Sequence, residues 1–239
     1  MTDDDVWQAF KAVNERRRAV RDFDGRPIPL ATLEEVVAEA LKAPSSGNLQ
    51  PYRLHVVHEP ELKRAVAESC NGQRAAMTAS ALVVVVSSRA IALSTLGQLE
   101  VAMGPDSSLS ERSVAYHART YLMLRRFFRF APAHLFGALR IAVSFLMPVL
   151  SLLPFGPSGV RHWLARNSLF AAQTLMLAAA ARGLDTCPME GFDAMKVSRL
   201  LGLPCGSVVP VVIAVGHRSA DARVEPRLRR SLAEAVVVH

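Results

Sequence analysis

Three groups of residues in this chain carry side chains suited to holding a ligand. Arg16-Arg17-Arg18-Ala19-Val20-Arg21-Asp22-Phe23 concentrates guanidinium groups, which match phosphate oxygens bidentately and stay charged at any relevant pH. Ala43-Pro44-Ser45-Ser46-Gly47-Asn48-Leu49-Gln50-Pro51 is a polar loop whose hydroxyl and amide groups suit polyol hydroxyls and the polar edge of a heterocycle. Far downstream, Pro188-Met189-Glu190-Gly191-Phe192-Asp193 places a Glu-Gly pair after an apolar run, and glycine lets a backbone approach a ring closely. Taken singly, these are a solvated basic face, a helix-to-strand turn and a surface turn. Taken together, they could surround a polar, anionic, planar ligand.

Other chemistries lack their signatures. The chain has no GxGxxG, Walker, HExxH, GxSxG or CxxC motif, so a redox dinucleotide would not be held by a Rossmann fingerprint. His55, His58, His117, His134 and His217 have no metal-ligand spacing. Cys70, Cys187 and Cys205 are too few and too irregular for a zinc site or a disulfide framework, and read as small apolar side chains in a reducing compartment. The net charge of +7 invites a polyanion. The basic residues are scattered, however, outside Arg16–Arg21, Arg125–Arg129 and Arg223–Arg230, and only Phe127-Phe128 supplies interleaved aromatic stacking, so no nucleic-acid partner is expected. The acidic start Met1-Thr2-Asp3-Asp4-Asp5 is unlike a signal peptide. A cytoplasmic protein is expected.

The elements that must position these groups follow from periodicity. Val6, Phe10 and Val13 mark a helix from Asp3 to about Arg16. Thr32-Leu33-Glu34-Glu35 fits a capping box for a helix ending by Ala43, before Pro44. Tyr52–Val57 reads as a half-buried strand, Pro60–Ser69 as a helix and Ala81–Val86 as a fully buried strand. Ser110–Phe130 reads as a helix. Leu164–Arg182 is apolar nearly all round and belongs at the centre, closed by Gly183. Asp193 could cap a short helix through Leu201. Val208–Val215 reads as a strand in which Pro210 implies an edge or an irregularity. Residues 136–153 are almost wholly apolar, interrupted by Arg140 and Pro148, and approach the roughly 20 residues of a membrane span. A buried helix, a hydrophobic lid and a peripheral membrane contact all fit them. Strands and helices interleave without βαβ spacing, so the fold class is α+β.

The arginine segment, the polar loop and the Glu-Gly turn together resemble the FMN-dependent nitroreductase family, from about Glu15 to Met77 and from about Arg166 to Val236. The likeness is weak between roughly Ile91 and Trp163. Arg17-Arg18-Ala19-Val20-Arg21-Asp22-Phe23 resembles the family's Arg-Arg-Ser-Val-Arg-x-Phe. That resemblance implies Arg17 at the FMN phosphate, Arg18 and Ala19 along the ribityl chain, and Arg21 near flavin N1 and O2. There its charge favours the anionic reduced ring. Ala19 stands where the family has Ser, so one hydroxyl contact is missing. Pro44, Ser45, Ser46, Asn48 and Gln50 are implied contacts to flavin bound mostly by the other subunit, which makes a homodimer obligatory. Met189, Glu190 and Gly191 are implied at the flavin face, with the Glu190 main-chain N–H toward N5. Arg227 and Arg229 resemble a basic pair closing over the phosphate, or form an exposed basic tail. Asn71 and Gln73 align loosely as ring-edge contacts.

The resemblance implies a nitroreductase-like sheet flanked by helices, in an intertwined homodimer. Residues 1–239 are expected to form a single domain with an apolar helical insertion or lid at about 91–163. NADPH or NADH would pass hydride to flavin N5, and a small-molecule acceptor such as a nitroaromatic or quinone would then take two electrons. No metal and no side-chain nucleophile is expected. The apolar central stretch points to a bulky acceptor such as a lipophilic quinone. Two rivals stay open: a relative that uses flavin for dehalogenation or for fragmentation of the flavin itself, and a flavin-binding module without reductase activity.

Overall fold

An inner strand of the sheet reads Ala81-Leu82-Val83-Val84-Val85-Val86-Ser87, and every one of these residues is buried. Such a continuous apolar run suits a strand covered on both sides. The computed structural model describes residues 1–105, 107–130 and 156–239, and the apolar segment 136–153 lies outside the described residues. Four strands, β1 (Tyr52–Val57), β2 (Ala81–Ser87), β3 (Asp185–Met189) and β4 (Val208–Gly216), form one antiparallel sheet in the order β1-β2-β4-β3. Register runs from Tyr52 opposite Ser87 to Val57 opposite Leu82, from Ala81 opposite Val215, and from Asp185 opposite Gly216.

Pro210 sits in an interior strand, not at an edge. The irregularity expected of it is present: the β2–β4 register shifts between Val85 and Ser87, so Val86 faces the Val209-Pro210 stretch in a bulge. A residue without an N–H is tolerated where the ladder is already broken. Pro188 lies in β3, an edge strand of the four, where the missing donor is less costly.

Two helices precede the sheet, α1 (Asp3–Arg16) and α2 (Leu30–Ala40). Alternate residues of the strands feed two apolar layers. Leu82, Val84, Val86, Val212 and Ala214 pack with Val66, Ala67, Cys70, Ala75, Ala76 and Val197. Apart from Cys70, in the turn after α3, these come from α3 (Pro60–Glu68), α4 (Arg74–Thr78) and, after α5 (Arg89–Ala102), α6 (Glu111–Phe130) and α7 (Gly156–Ala181), from α8 (Ala194–Leu200). On the other face Val83, Val85, Val211 and Ile213 meet Leu33, Val36 and Ala40 of α2 and Ala172, Leu175 and Ala179 of α7. Each fully buried aliphatic side chain contributes about 1.5–3 kcal/mol, so both layers are needed to order the sheet. The class is α+β, as expected.

Local signals account for most boundaries. Asp193 Oδ1 accepts from the N–H groups of Met195 at 3.0 Å and Lys196 at 2.9 Å, capping α8. Gly183, at φ +84°, follows α7 in the left-handed conformation. The capping box expected at Thr32 is not used: α2 begins at Leu30, and the Thr32 N–H donates to the Pro29 carbonyl at 3.0 Å. Pro29, with its ring-fixed φ of −54°, starts the helix earlier. Helix α7 also begins earlier than expected, and its Leu169 and Phe170 are exposed rather than central. Cys70 and Cys187 are buried as expected, whereas Cys205 is exposed. A third apolar cluster joins α5, α6 and the start of α7 through Leu96, Tyr121, Phe128, Trp163 and Leu164, and it includes Leu49 of the polar loop. No helix among the described residues is long and apolar enough to cross a membrane.

Candidate functional site

Helix α1 hands the chain to an extended segment that runs beside β3. The Val20 N–H donates to the Thr186 carbonyl at 3.0 Å, and Ala19 lies opposite Thr186 in a parallel bridge. Val20 and Phe23 are buried, so they anchor the segment, while Arg21 between them is exposed. The C-terminal stretch returns to the same place. Arg227 donates to the carbonyls of Asn14 at 3.1 Å, Glu15 at 2.8 Å and Arg17 at 2.8 Å. Carbonyls at a helix end have no partner within the helix, and a guanidinium there satisfies several at once. Arg18 donates to the Glu225 carbonyl.

These contacts build a pocket of about 230 Å³ lined by Arg17, Arg18, Ala19, Arg21, Val224, Glu225, Pro226, Arg227 and Arg229. Arg17 Nε is buried without a hydrogen-bond partner. Burial, then the charges of Arg227, Arg229 and Arg18, lower the Arg17 pKa from its ordinary value. Gathered cations and an orphaned donor are both relieved by an anion with several oxygens, such as a phosphate.

Strand β3 links this pocket to the Glu-Gly turn. The Gly191 carbonyl accepts from Asn71 Nδ2 at 3.1 Å and Gln73 Nε2 at 2.7 Å. A Cβ added at Gly191 would stand 3.3 Å from Gln73 Nε2. Asn71 adopts φ +56°, a conformation asparagine tolerates better than most residues. The Asp193 N–H donates to the Ser69 carbonyl at 2.9 Å, which ties the turn to the end of α3. Arg74 pairs with Asp22 at 2.9 Å, joining α4 to the arginine segment. Glu190 is exposed. The Met189 side chain is buried in the core, so only its main chain is free to meet a ligand.

The polar loop lies at the other edge of the sheet. Gln50 N–H donates to Ser45 Oγ at 2.9 Å, and Gln50 Nε2 to Asn48 Oδ1 at 3.1 Å. Gly47, Asn48 and Gln50 all have positive φ. Pro44 precedes this turn, and Leu49 is fully buried. Because β1 and β3 are the outer strands, three strand spacings, roughly 14 Å, separate the edges. Among the described residues no hydrogen bond joins the loop to the arginine pocket or to Gly191. One chain therefore brings together Arg17, Arg18, Ala19, Arg21, Arg227 and Arg229, and separately Asn71, Gln73 and Gly191 beside them, but not the loop.

Sequence reasoning misses Asn167. It is buried; its Oδ1 accepts the Ser46 N–H at 2.8 Å and its Nδ2 donates to the Trp163 carbonyl at 2.9 Å. Its signal is an amide three positions after Leu164 and four before Ala171, on the inward stripe of the helix, where a buried polar group requires partners. A second missed pair is Asp185 with Arg218, whose Nε donates to Asp185 Oδ2 at 2.9 Å. They border a polar pocket of about 510 Å³ that also contains Arg16, Arg18, Arg26 and His217.

Similarity to known proteins extends along most of the chain. The sequence model of the nitroreductase family matches residues 15–217. Protein DrgA of Synechocystis is 30% identical over 224 residues, covering 93% of this chain and 88% of that protein. An NADH dehydrogenase of Thermus thermophilus is 28% identical over 213 residues, covering 89% and 88%. A nitroreductase-like protein of Exiguobacterium sibiricum, solved in complex with FMN, superposes with a TM-score of 0.73 at 20% identity, covering 96% of this chain and 97% of that one. With the family match spanning most of its length, this chain belongs to the nitroreductase family.

Proposed function

We propose that the chain is an FMN-dependent oxidoreductase that takes electrons from NADPH or NADH and delivers them to a nitroaromatic, quinone or similar small acceptor. The observation that carries this reading is the arginine pocket joined, along β3, to the Gly191 turn. The donor set fits the cofactor: an orphaned buried guanidinium nitrogen at one end, and a glycine with two amide side chains at the other. When bound, FMN would supply the two-electron hydride chemistry that amino-acid side chains lack.

This chain's residues bind and orient. Arg17, Arg227 and Arg229 would hold the phosphate, and Arg18 and Ala19 the ribityl chain. Arg21 lies two residues beyond Ala19, which bridges Thr186 of β3, and its positive charge would favour electron density at the nearby ring edge. Asn71 and Gln73 hold the Gly191 carbonyl and so order the Glu190–Gly191 main chain, whose N–H groups would meet the ring. Ser45, Ser46, Asn48 and Gln50 would complete the partner's site in a homodimer, since they sit at the opposite edge from their own chain's arginines. An isologous pairing would use each edge once.

The test is an absorbance spectrum of the purified protein, followed by anaerobic addition of NADPH and then NADH. Flavin bands that bleach, and return when a nitroaromatic or quinone is added, are the expected result. Persistent bands would leave a flavin-binding module without reductase activity. A colourless protein that FMN cannot reconstitute would remove the proposal.

A further inference from the structure

Helix α6 has one face fixed by packing: Tyr121 and Phe128 are buried, with Leu124 and Phe127 against the same cluster. Its opposite face carries Arg112, Tyr116, Arg119, Met123 and Arg126, all exposed. These positions follow one another at steps of three and four, so they form a single stripe. Tyr116 is 66% exposed and Met123 61%, and Leu122 beside them is 49% exposed. Isolated surface apolar residues need no explanation. Here, however, Tyr116 and Met123 each stand between two arginines. Arginine stems can lie along an apolar layer while their guanidinium groups reach phosphates. Among the described residues nearby, the Glu100 carboxylate is engaged by Arg125, and Glu111 stands at the helix start beside Arg112, leaving a net positive stripe.

We infer that this face of α6 docks on an anionic phospholipid surface, with the helix axis in the plane of the interface. Charge complementarity selects the partner, and the alternation of apolar and basic side chains selects its layered chemistry. Leu122, beside the stripe, also lines a cavity of about 350 Å³ between α5 and α6. The same helix backs the polar loop: Leu124 Cδ1 stands 3.0 Å from the position of a Cβ on Gly47. The docking does not depend on the redox reading.

Flotation with vesicles tests it. The full chain is expected to float with vesicles of phosphatidylcholine and phosphatidylserine, to release with salt, and to leave vesicles of phosphatidylcholine alone unbound. Each arginine near an anionic surface contributes about fivefold in affinity, so reversing three charges with Arg112→Glu, Arg119→Glu and Arg126→Glu should reduce binding by at least about a hundredfold. If that variant does not fold, Arg119→Gln should still weaken binding about fivefold. A fluorophore at Met123→Cys, in a Cys205→Ser background, should shift to the blue on the anionic vesicles. Failure of the wild-type chain to bind them, unchanged binding by a folded α6 variant, or an unshifted fluorophore would each overturn the inference.

Discussion

Arg227 donates to the carbonyl oxygen of Arg17 at 2.8 Å, although 210 residues separate them in the chain. One guanidinium thus closes the end of α1 and brings the C-terminal stretch against the arginine segment. Because Arg227 also lines the pocket, it both shapes the site and charges it. Arg227→Ala should lower FMN affinity tenfold to a hundredfold, since a hydrogen bond to a charged group contributes about 1.5–3 kcal/mol. Arg227→Lys should restore little, because an ammonium cannot fork across three carbonyls. Fluorescence titration of FMN into the apoprotein reads this. Affinity unchanged by Arg227→Ala would exclude the pocket as the phosphate site.

Gly216 ends β4 against a side chain that leaves it no room. A Cβ there would meet Phe23 Cδ1 at 2.6 Å and Phe23 Cγ at 3.0 Å, and Phe23 is itself buried. Gly216→Ala should destabilise the fold by about 1–3 kcal/mol through overpacking. Adding Phe23→Leu should recover part of that loss, whereas independent sites would simply add. Urea unfolding of the two single variants and the double variant decides between these outcomes.

The sheet and its covering helices are legible in the sequence because their residues obey simple periods. The strands expected at Tyr52–Val57 and Ala81–Val86 fall within a residue of the observed ones, and Asp193 caps its helix as expected. The start of α2 is misread because Thr32 carries a capping pattern while Pro29 fixes the first turn. Pro210 alone suggests either an edge or an irregularity, and a local reading cannot see that β3 pairs on the far side of β4. The arginine pocket is legible in composition, but the contact between residues 17 and 227 follows from the resemblance, not from spacing. Asn167 escapes a local reading because its partner, the Ser46 N–H, is 121 positions away.

Thiol reactivity should follow burial. Cys205 is exposed, whereas burial pushes the Cys70 thiol up to about 11 and raises Cys187 as well. The thiolate is the reactive species, so at mildly alkaline pH an aromatic disulfide reagent should label one thiol quickly. The other two should react only as the protein opens. Peptide mapping after brief labelling identifies the site, and rapid modification of Cys70 would contradict the packing of α3 on the sheet.

His55 in β1 gives stability a dependence on pH. Burial, and then the charge of Arg53, lower its pKa from the ordinary value of 6.5. The sign follows from linkage: when the folded value is lower, the unfolded chain binds the proton first as pH falls. Above about 6.5 both states are neutral and the full stability is present. Below it, stability declines with a slope no steeper than about 1.4 kcal/mol per pH unit, and the decline ends once the folded His55 is protonated. Asp24 and Glu59, held below the carboxylate range by hydrogen bonds to main-chain N–H groups, act only at lower pH. The comparison is differential. His55→Gln should flatten the slope of unfolding free energy between pH 7 and pH 5 relative to the wild-type chain. Parallel slopes for the two proteins would show that His55 is as easily protonated in the folded state as in the unfolded one.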